Sequence, residues 1–305
     1  MRIGSLCTGY GGLEMGLASV FPNTELAFVS DIETHINTLL EHHHPDVPNL
    51  GDLTTIDWEN IEPVDILCAG YPCQPFSEAG QRKGEQDERA IFGYIADGIS
   101  VLRPRNVLLE NVAGHLTLGG VGVITELTRL GYDSRWGIVR ASDAGAPHRR
   151  ARLFIWATIQ NPNSVRQCDT TTAPSQDTEK RKRQIRPTRP DSLCSGGSGQ
   201  VLADTNGMGP QEYRTEHGLG ETQESQQFSR YGAYEHAIRR WANIRGNPPE
   251  PTDHRGVNPA FLEWMMGIPI GYVSEVLTSR SAMLKALGNG VVPQQAGLAI
   301  RMLTQ

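Results

Sequence analysis

The sequence predicts an α/β protein with a doubly wound, mostly parallel β-sheet. Its first 160 residues contain short apolar runs near Gly, Pro or Asp, each too short for a helix: Arg2–Cys7, Leu26–Ser30, Val64–Ala69, Asn106–Leu109, Ser134–Val139 and Arg152–Thr158. Helix-periodic segments lie between these runs, at Gly12–Val20, Thr34–His43, Ile91–Leu102 and Val121–Leu130. Such alternation is typical of βαβ units, whose strands are parallel.

Composition excludes several classes of protein. No run approaches the roughly 18 consecutive apolar residues of a membrane span, and glycines interrupt the amino-terminal segment where a signal peptide would need an apolar stretch. The five cysteines form no CxxC pair, which argues against a disulfide framework or a zinc ribbon. We therefore expect a protein of a reducing, intracellular compartment, without a metal site.

Charge and composition divide the chain into three parts. We predict a catalytic and cofactor-binding domain over 1–158, a small, irregular and partly disordered variable domain over 159–257, and a return to the first domain over 258–305. The net charge is −6, yet residues 139–189 hold 11 Lys or Arg against four acids. That basic stretch is either a solvated insertion or a surface that contacts phosphates, and composition alone leaves both open.

A glycine-rich turn follows the first predicted strand. Gly9, Gly11 and Gly12 let the backbone turn sharply and let a ligand approach the amino terminus of the next helix. Asp31 closes the second strand 20 residues after Gly11, where a carboxylate can accept hydrogen bonds from ribose hydroxyls, and Asp52 ends the next unit. A tight connection would explain each feature singly, but their order favours a nucleoside-containing cofactor.

Reactive side chains follow three other predicted strands. Cys73 comes directly after Pro72 at the carboxyl end of a strand, although an unpaired cysteine is more often a small buried apolar residue. Glu110 ends the next buried strand and could instead be a helix cap. Arg150 and Arg152 alternate in an extended segment, so we expect both side chains on one face, opposite Glu110 or a phosphate.

Together these motifs resemble the C5-cytosine DNA methyltransferase family. The matching segments are Gly9-Tyr10-Gly11-Gly12, Pro72-Cys73-Gln74, Glu110-Asn111-Val112, His148-Arg149-Arg150-Ala151-Arg152 and Gly288-Asn289-Gly290-Val291. They occur in family order over residues 1–158 and 258–303. The unmatched middle lies where that family has its variable target-recognition domain. The resemblance implies the S-adenosylmethionine-dependent methyltransferase fold.

The resemblance also implies a mechanism. Cys73 would add as a thiolate to C6 of a flipped-out cytosine, so that C5 can accept a methyl group from S-adenosylmethionine. Glu110 would contact the N3/N4 edge of the base while partly protonated. Arg152 would contact the base O2, and Arg150 would support the Cys73 loop or a phosphate.

Binding roles follow from the same resemblance. The residues expected to bind the cofactor are Gly9, Gly11, Gly12, Asp31, Asp52, Pro72, Asn289, Gly290 and Val291. Those expected to bind the substrate are Gln74, Ser77 and Asn111. The expected partner is double-stranded DNA, bound by a monomer in the cytoplasm of a prokaryotic cell or a virus-infected host. Whether the enzyme belongs to a restriction-modification system, with an endonuclease acting independently, or works alone stays open.

Two alternatives remain at this point. A tRNA cytosine-5 methyltransferase of the same superfamily would share Cys73 and Glu110, and a non-catalytic DNA-binding protein would need a defective Cys73 environment. The chain also departs from the family pattern: Cys7-Thr8 replaces Phe-Ala, His148 replaces Gln, and Gly290 replaces Ser. Glu14, inside the first helix, is expected to be a surface residue or a neighbour of the cofactor's amine.

Overall fold

A computed structural model describes residues 1–72, 85–160 and 230–305, except for the side chains of residues 85–90 and 118. The basic run and most of the predicted variable domain lie outside these ranges, as do Cys73, Gln74 and Ser77. Among the described helices, none is both long and apolar enough to cross a lipid bilayer.

The centre of the structure is a six-stranded sheet. Its strands are β1 (Arg2–Leu6), β2 (Glu25–Phe28), β3 (Ile66–Ala69), β4 (Asn106–Val112), β5 (Tyr132–Arg140) and β6 (Ala151–Ile159). They lie in the order β2-β1-β3-β4-β6-β5. Strands β1 to β4 are parallel, whereas β6 runs antiparallel to both β4 and β5. The predicted α/β class with a mostly parallel sheet is confirmed.

Eight helices accompany the sheet in the described ranges. They are α1 (Gly12–Ala18), α2 (Thr34–His43), α3 (Glu85–Leu102), α4 (Val121–Arg129), α5 (Glu235–Arg245), α6 (Pro259–Met266), α7 (Arg280–Asn289) and α8 (Pro293–Leu303). A short hairpin of β7 (Thr252–Asp253) and β8 (Gly256–Val257) precedes α6. The predicted helices are therefore present, with ends that differ by a few residues.

Helices cover the sheet on both faces because successive side chains of a strand point to opposite sides. Leu67 and Ala69 of β3 pack in one apolar cluster with α3 and α4. Ile66 and Cys68 of the same strand pack in a second cluster with α1 and α8. Burial of both faces explains why the parallel strands read as continuous apolar runs.

The carboxyl-terminal helix packs directly on the amino-terminal helix. A Cβ atom added at Gly16 of α1 would lie 2.5 Å from the Cβ of Ala296, and one added at Gly297 would lie 2.5 Å from Ser19 Oγ. Only glycine at both positions lets the two backbones approach this closely. The carboxyl-terminal helix therefore contacts the amino-terminal helix, while the division of the chain into domains stays a prediction.

A third apolar cluster joins α5 to the elements that follow it. Trp241 and Trp264 are both buried there, and Trp241 Nε1 donates a 2.7 Å hydrogen bond to the carbonyl of Trp264. Ala141 and Ala146, which follow β5, belong to the same cluster. The boundary at residue 257 stays a prediction, and across it α5 shares a core with α6.

A buried carboxylate organises the loop between α6 and α7. Glu263 accepts hydrogen bonds from the backbone N–H groups of Gly271, Val273 and Ser274, at 2.8, 2.7 and 2.7 Å. The Ser274 hydroxyl donates a fourth bond of 2.9 Å. Four donors replace the water that the carboxylate loses on burial, so this acid is a structural group.

Removing that carboxylate should destabilise the fold. Glu263→Ala leaves three buried N–H groups without an acceptor, so we expect the free energy of unfolding to fall by about 3 kcal/mol or more. Urea denaturation followed by circular dichroism measures the change. Glu275→Ala, at an exposed position of the same loop, is the control and should fall by less than about 0.5 kcal/mol. Equal stability of the two variants would contradict this role.

Candidate active site

A cavity of about 450 Å³ opens at the carboxyl ends of β1 to β4. The cavity lies at the topological switch point of the sheet, between the neighbouring strands β1 and β3. From β1 the chain continues to β2 on one side, and from β3 it continues to β4 on the other. Loops diverge at such a point and leave a crevice in which α/β proteins bind ligands.

Most of the residues predicted to form the site line this cavity. They are Gly9, Gly12, Asp31, Asp52, Pro72, Glu110, Asn111, Arg152, Asn289, Gly290 and Val291. Gly11 and Arg150 do not line the cavity. Gly11 belongs to the glycine turn, and Arg150 hydrogen-bonds to the turn around Asn289. Cys73, Gln74 and Ser77 lie outside the described residues, but Pro72 carries the chain from the cavity wall directly to Cys73.

The glycine turn is fastened to the end of β2. Gly9 and Gly11 have φ angles of +57° and +88°, in the left-handed region that favours glycine. Gly9 N donates a 3.0 Å hydrogen bond to Asp31 Oδ2, and Glu33 N donates one of 3.0 Å to Oδ1. A carboxylate can accept about four hydrogen bonds, so Asp31 can still accept hydrogen bonds from the hydroxyl groups of a ligand in the cavity.

Asp52, which also lines the cavity, caps the 3₁₀ turn Leu53–Thr55. Its Oδ1 accepts from Thr54 N at 2.9 Å and from Thr54 Oγ1 at 2.8 Å. These two hydrogen bonds lower the pKa of Asp52 below its ordinary value. The carboxyl group of Asp52 therefore ionises more readily than a free aspartate at this edge of the cavity.

A buried polar network lies beneath the cavity. Glu14 is only 6% exposed, so the prediction of a surface position was wrong. Its Oε1 accepts from the Ser5 hydroxyl and, at 3.4 Å, from the Cys68 thiol. Ser5 Oγ lies 2.9 Å from Thr8 Oγ1, which accepts from Ser30 N at 3.3 Å. The network thus joins α1 to the first three strands, and burial raises the pKa of Glu14.

Glu110 and Arg152 form an ion pair in the cavity wall. Arg152 Nε lies 2.9 Å from Glu110 Oε1, and Glu110 is 7% exposed. Burial raises the pKa of Glu110 to about 7, although Arg152 and then Arg150 oppose the rise. This carboxyl therefore changes protonation state close to neutral pH.

Arg150 departs from the conformation that the sequence predicts. Its φ is +32° and β6 begins one residue later, so the expectation that it shares an extended segment and a face with Arg152 was wrong. Its Nη2 instead donates to the carbonyls of Gly288, at 2.9 Å, and Gly290. Arg150 thereby holds the turn that presents Asn289 to the cavity.

An ion pair crosses the rim of the cavity. Lys285 Nζ of α7 lies 2.7 Å from Glu33 Oε1, at the start of α2. The sequence does not reveal this pair, because its members are separated by 252 residues and neither belongs to a motif. Tyr71 and His115, whose side chains meet at 2.9 Å, were missed for a similar reason, although Tyr71 lies within the Gly-Tyr-Pro-Cys segment.

The description "C-5 cytosine-specific DNA methylase" belongs to a family model that matches residues 1–302. The chain belongs to this family. Among curated members, the type II methyltransferase M.NlaIV of Neisseria lactamica is 31% identical over 172 residues, which are 51% of this chain and 41% of that protein. M.HhaI of Haemophilus parahaemolyticus is 31% identical over 160 residues, or 51% and 48%. The aligned part thus spans about half the length of these relatives or less.

Solved structures of this fold extend over the whole chain. A Spodoptera frugiperda DNMT2 mutant superposes with a TM-score of 0.61 at 17% identity, covering 100% of this chain and 99% of that one. The S. pombe Dnmt2 methyltransferase superposes with a TM-score of 0.60 at 18% identity, covering 99% of this chain and 98% of that one. At this identity the likeness establishes the fold. Family and fold together imply an S-adenosylmethionine-dependent methyltransferase.

The structure explains one departure from the family pattern. The Tyr10 ring occupies the space beside Gly290: a Cβ atom at position 290 would lie 1.9 Å from Tyr10 Cε1. The Tyr10 hydroxyl donates a 2.6 Å hydrogen bond to the carbonyl of Val291. The serine of the family pattern is therefore incompatible with Tyr10 in this position.

The other departures change polarity at the edge of the site. Thr8, in place of Ala, supplies a hydroxyl to the buried network. Burial, with a contribution from Asp31, raises the pKa of Cys7 to about 12, so this cavity-lining thiol stays protonated. Burial and the two nearby arginines lower the pKa of His148 to about 4, and neither ring nitrogen has a hydrogen-bond partner in the described structure. At neutral pH its ring is uncharged, like the amide it replaces.

The Tyr10–Gly290 contact predicts strong coupling between the two positions. Gly290→Ser should lower the free energy of unfolding by about 1 to 3 kcal/mol, because the new Cβ overlaps the Tyr10 ring. In a Tyr10→Ala background, where that ring is absent, the same substitution should have little effect. Urea denaturation of the four proteins measures both steps. Equal losses in the two backgrounds would show that the contact does not exclude serine.

Proposed function

We propose that this protein is a DNA cytosine-5 methyltransferase that transfers a methyl group from S-adenosylmethionine to cytosine in a specific duplex sequence. The observation that carries the proposal is the ion pair of buried Glu110 and partly buried Arg152 in the cavity wall, to which Pro72 also belongs. The acid and the arginine that we propose to bind the base thus lie beside the chain that leads to Cys73. Membership of the family supports the reaction class.

The cavity suits a nucleoside bearing a charged amino-acid tail. Its volume is within the usual range for small-molecule sites. Gly9 leaves open space where a side chain would project, since no atom lies within 4 Å of an added Cβ. Asp31 would hold the ribose hydroxyls, Asp52 the adenine edge, and the segment Asn289 to Val291 the methionyl end, with the glycine turn and Pro72 completing the walls.

When bound, S-adenosylmethionine supplies an electrophilic methyl group. Cytosine C5 is a weak nucleophile, so the protein must first raise its electron density. The Cys73 thiolate would form a sulfur–carbon bond to C6, moving the ring electrons toward C5. Once C5 carries the methyl group, loss of the C5 proton restores the double bond and releases the thiolate. Each turnover therefore returns Cys73 unchanged.

Glu110 and Arg152 would stabilise the base as Cys73 adds. A Glu110 carboxyl with a pKa of about 7 can donate a hydrogen bond to the ring nitrogen N3 and accept one from the exocyclic amine. Arg152 would contact O2. Arg150 would contribute through the Gly288 and Gly290 carbonyls, so its proposed role in supporting the Cys73 loop or a phosphate becomes a role in supporting the cofactor turn.

Duplex DNA is the proposed partner because residues 139–189 carry a net charge of +7 within an acidic chain. The target base must leave the helix to reach the cavity, at a cost of a few kcal/mol. Gln74, Ser77 and Asn111 are proposed to contact the substrate. We propose a monomer that acts in the cytoplasm, either beside an independent restriction endonuclease or alone on a cellular or viral genome.

Methyl transfer should depend on the Cys73 thiol. With labelled S-adenosylmethionine, the wild type should methylate duplex DNA from a host that lacks this activity, and Cys73→Ser should reduce transfer below detection because a hydroxyl does not ionise at neutral pH. Calorimetry should give the same cofactor affinity for both proteins. Cys194→Ser, which lies outside the motifs, is the control and should retain full activity.

Acceptor choice separates the candidate functions in the same assay. Labelling of tRNA but not DNA would favour the tRNA enzyme, and DNA binding without transfer would favour a non-catalytic protein. Transfer that persists in Cys73→Ser would refute the mechanism. Methylome sequencing of DNA from an expressing host then identifies the target sequence.

The rate of transfer should fall on the alkaline side of its pH optimum, where Glu110 loses its proton. The pKa of Glu110 is raised to about 7, so this carboxyl is protonated below that pH and loses its proton above it. The Cys73 thiolate increases with pH, and the two titrations together give a bell-shaped profile. Glu110→Gln should lower the rate at least about 10²-fold and abolish the descending limb. A wild-type rate that still rises beyond pH 8 would contradict this assignment.

A further inference from the structure

Tyr71, two residues before Cys73, is held at both ends by the segment that follows Glu110. Asn111 Nδ2 donates a 3.3 Å hydrogen bond to the Tyr71 carbonyl. The Tyr71 hydroxyl and His115 Nε2 lie 2.9 Å apart. Tyr71 is 5% exposed and His115 is 8% exposed, so both side chains are largely shielded from water.

An irregular turn places His115 against Tyr71. The π-helical turn Leu116–Gly120 follows His115 directly. A Cβ atom at Gly119 would lie 2.8 Å from Cε1 of the His115 ring, so the ring fits here because residue 119 is glycine. Turns of this kind are rare and occur often at functional sites.

The Tyr71–His115 hydrogen bond joins two uncharged groups. Burial lowers the pKa of His115 below its ordinary value, so the imidazole is uncharged at neutral pH. One hydrogen atom shared between the phenol oxygen and Nε2 then satisfies both groups. Removing either partner leaves a shielded polar atom without this bond.

The same segments determine where Glu110 lies relative to the chain that enters Cys73. A Cβ atom added at Gly70 would lie 3.5 Å from Glu110 Oε2, so the carboxyl sits against the backbone one residue before Tyr71. Cys73 follows Tyr71 after a single proline, which has little backbone freedom. Displacement of Tyr71 therefore changes the relation between Glu110 and the start of the Cys73 segment.

We propose that the Tyr71–His115 hydrogen bond is a positioning device that fixes the chain leading to Cys73 relative to Glu110. The inference rests on the proposed function and adds two positioning residues to it. Both would act through the positions of Cys73 and Glu110. Their effect is on the alignment of nucleophile and acid, to which the rate of bond formation is steeply sensitive.

A role in packing alone predicts a different outcome. Tyr71 belongs to the cluster around α3, and its ring centroid lies 5.9 Å from that of Phe92. If packing were its whole contribution, Tyr71→Phe would leave the rate unchanged because the ring remains. The phenol oxygen is therefore the atom to test, and Phe92→Leu is the control for lost aromatic packing.

The experiment measures covalent capture of Cys73 in a single turnover. The probe is a duplex carrying 5-fluorocytosine at the methylated site, with S-adenosylmethionine present. Tyr71→Phe and His115→Leu should each slow capture roughly tenfold, the equivalent of one lost hydrogen bond, and the double variant should be no slower than either. Cofactor affinity by calorimetry should change less than about twofold. His115→Gln, whose amide can replace the bond, should recover most of the rate, and Phe92→Leu should capture at the wild-type rate.

Three outcomes would overturn the proposal. These are an unchanged rate in Tyr71→Phe, rate losses that multiply in the double variant, and a His115→Gln protein as slow as His115→Leu. Thermal melting is recorded for each protein, and Tyr71→Phe, which lacks one oxygen, decides the test if His115→Leu is unfolded. Failure of the wild type to capture the duplex would instead overturn the proposed function, and this inference with it.

Discussion

The site depends on the close approach of two segments that are far apart in sequence. Tyr10 bonds to Val291 across 281 residues, and glycines at positions 12 and 290 leave room for the contact. Gln295 also stabilises this approach, because its amide donates 2.8 Å hydrogen bonds to the carbonyls of Val139 and Arg150. The cavity lining therefore combines residues from the start of the chain with residues near 290.

Three buried glutamates show how environment separates structure from chemistry. Glu263 receives four donors and is fully satisfied by its loop. Glu14 receives two donors at one oxygen, while its Oε2 has no partner in the described structure. Glu110 faces the cavity with a single arginine and a pKa near neutrality. Glu263 thus stabilises a loop, Glu14 belongs to a buried polar network, and Glu110 is a candidate acid at the cavity.

Local patterns in the sequence predicted the strands, the helices and 11 of the residues that line the cavity, because strand ends in a parallel sheet converge at one edge. Such patterns cannot predict contacts between residues that are far apart in sequence. Lys285 with Glu33 and Tyr71 with His115 are two such pairs, and no sequence motif contains both members of either pair. Arg150 was misjudged because alternation describes a strand, and φ at this residue is +32°. Glu14 was misjudged because the acid looks exposed until its partners on two strands are known.

The tight seam between α1 and α8 has a consequence for the order of folding. Closing a loop of about 280 residues costs about 2 kcal/mol more in chain entropy than closing one of ~20, so this contact forms late. During synthesis, α1 cannot bury its glycine face until α8 has left the ribosome. The cavity is therefore complete only after α8 has left the ribosome and has packed against α1.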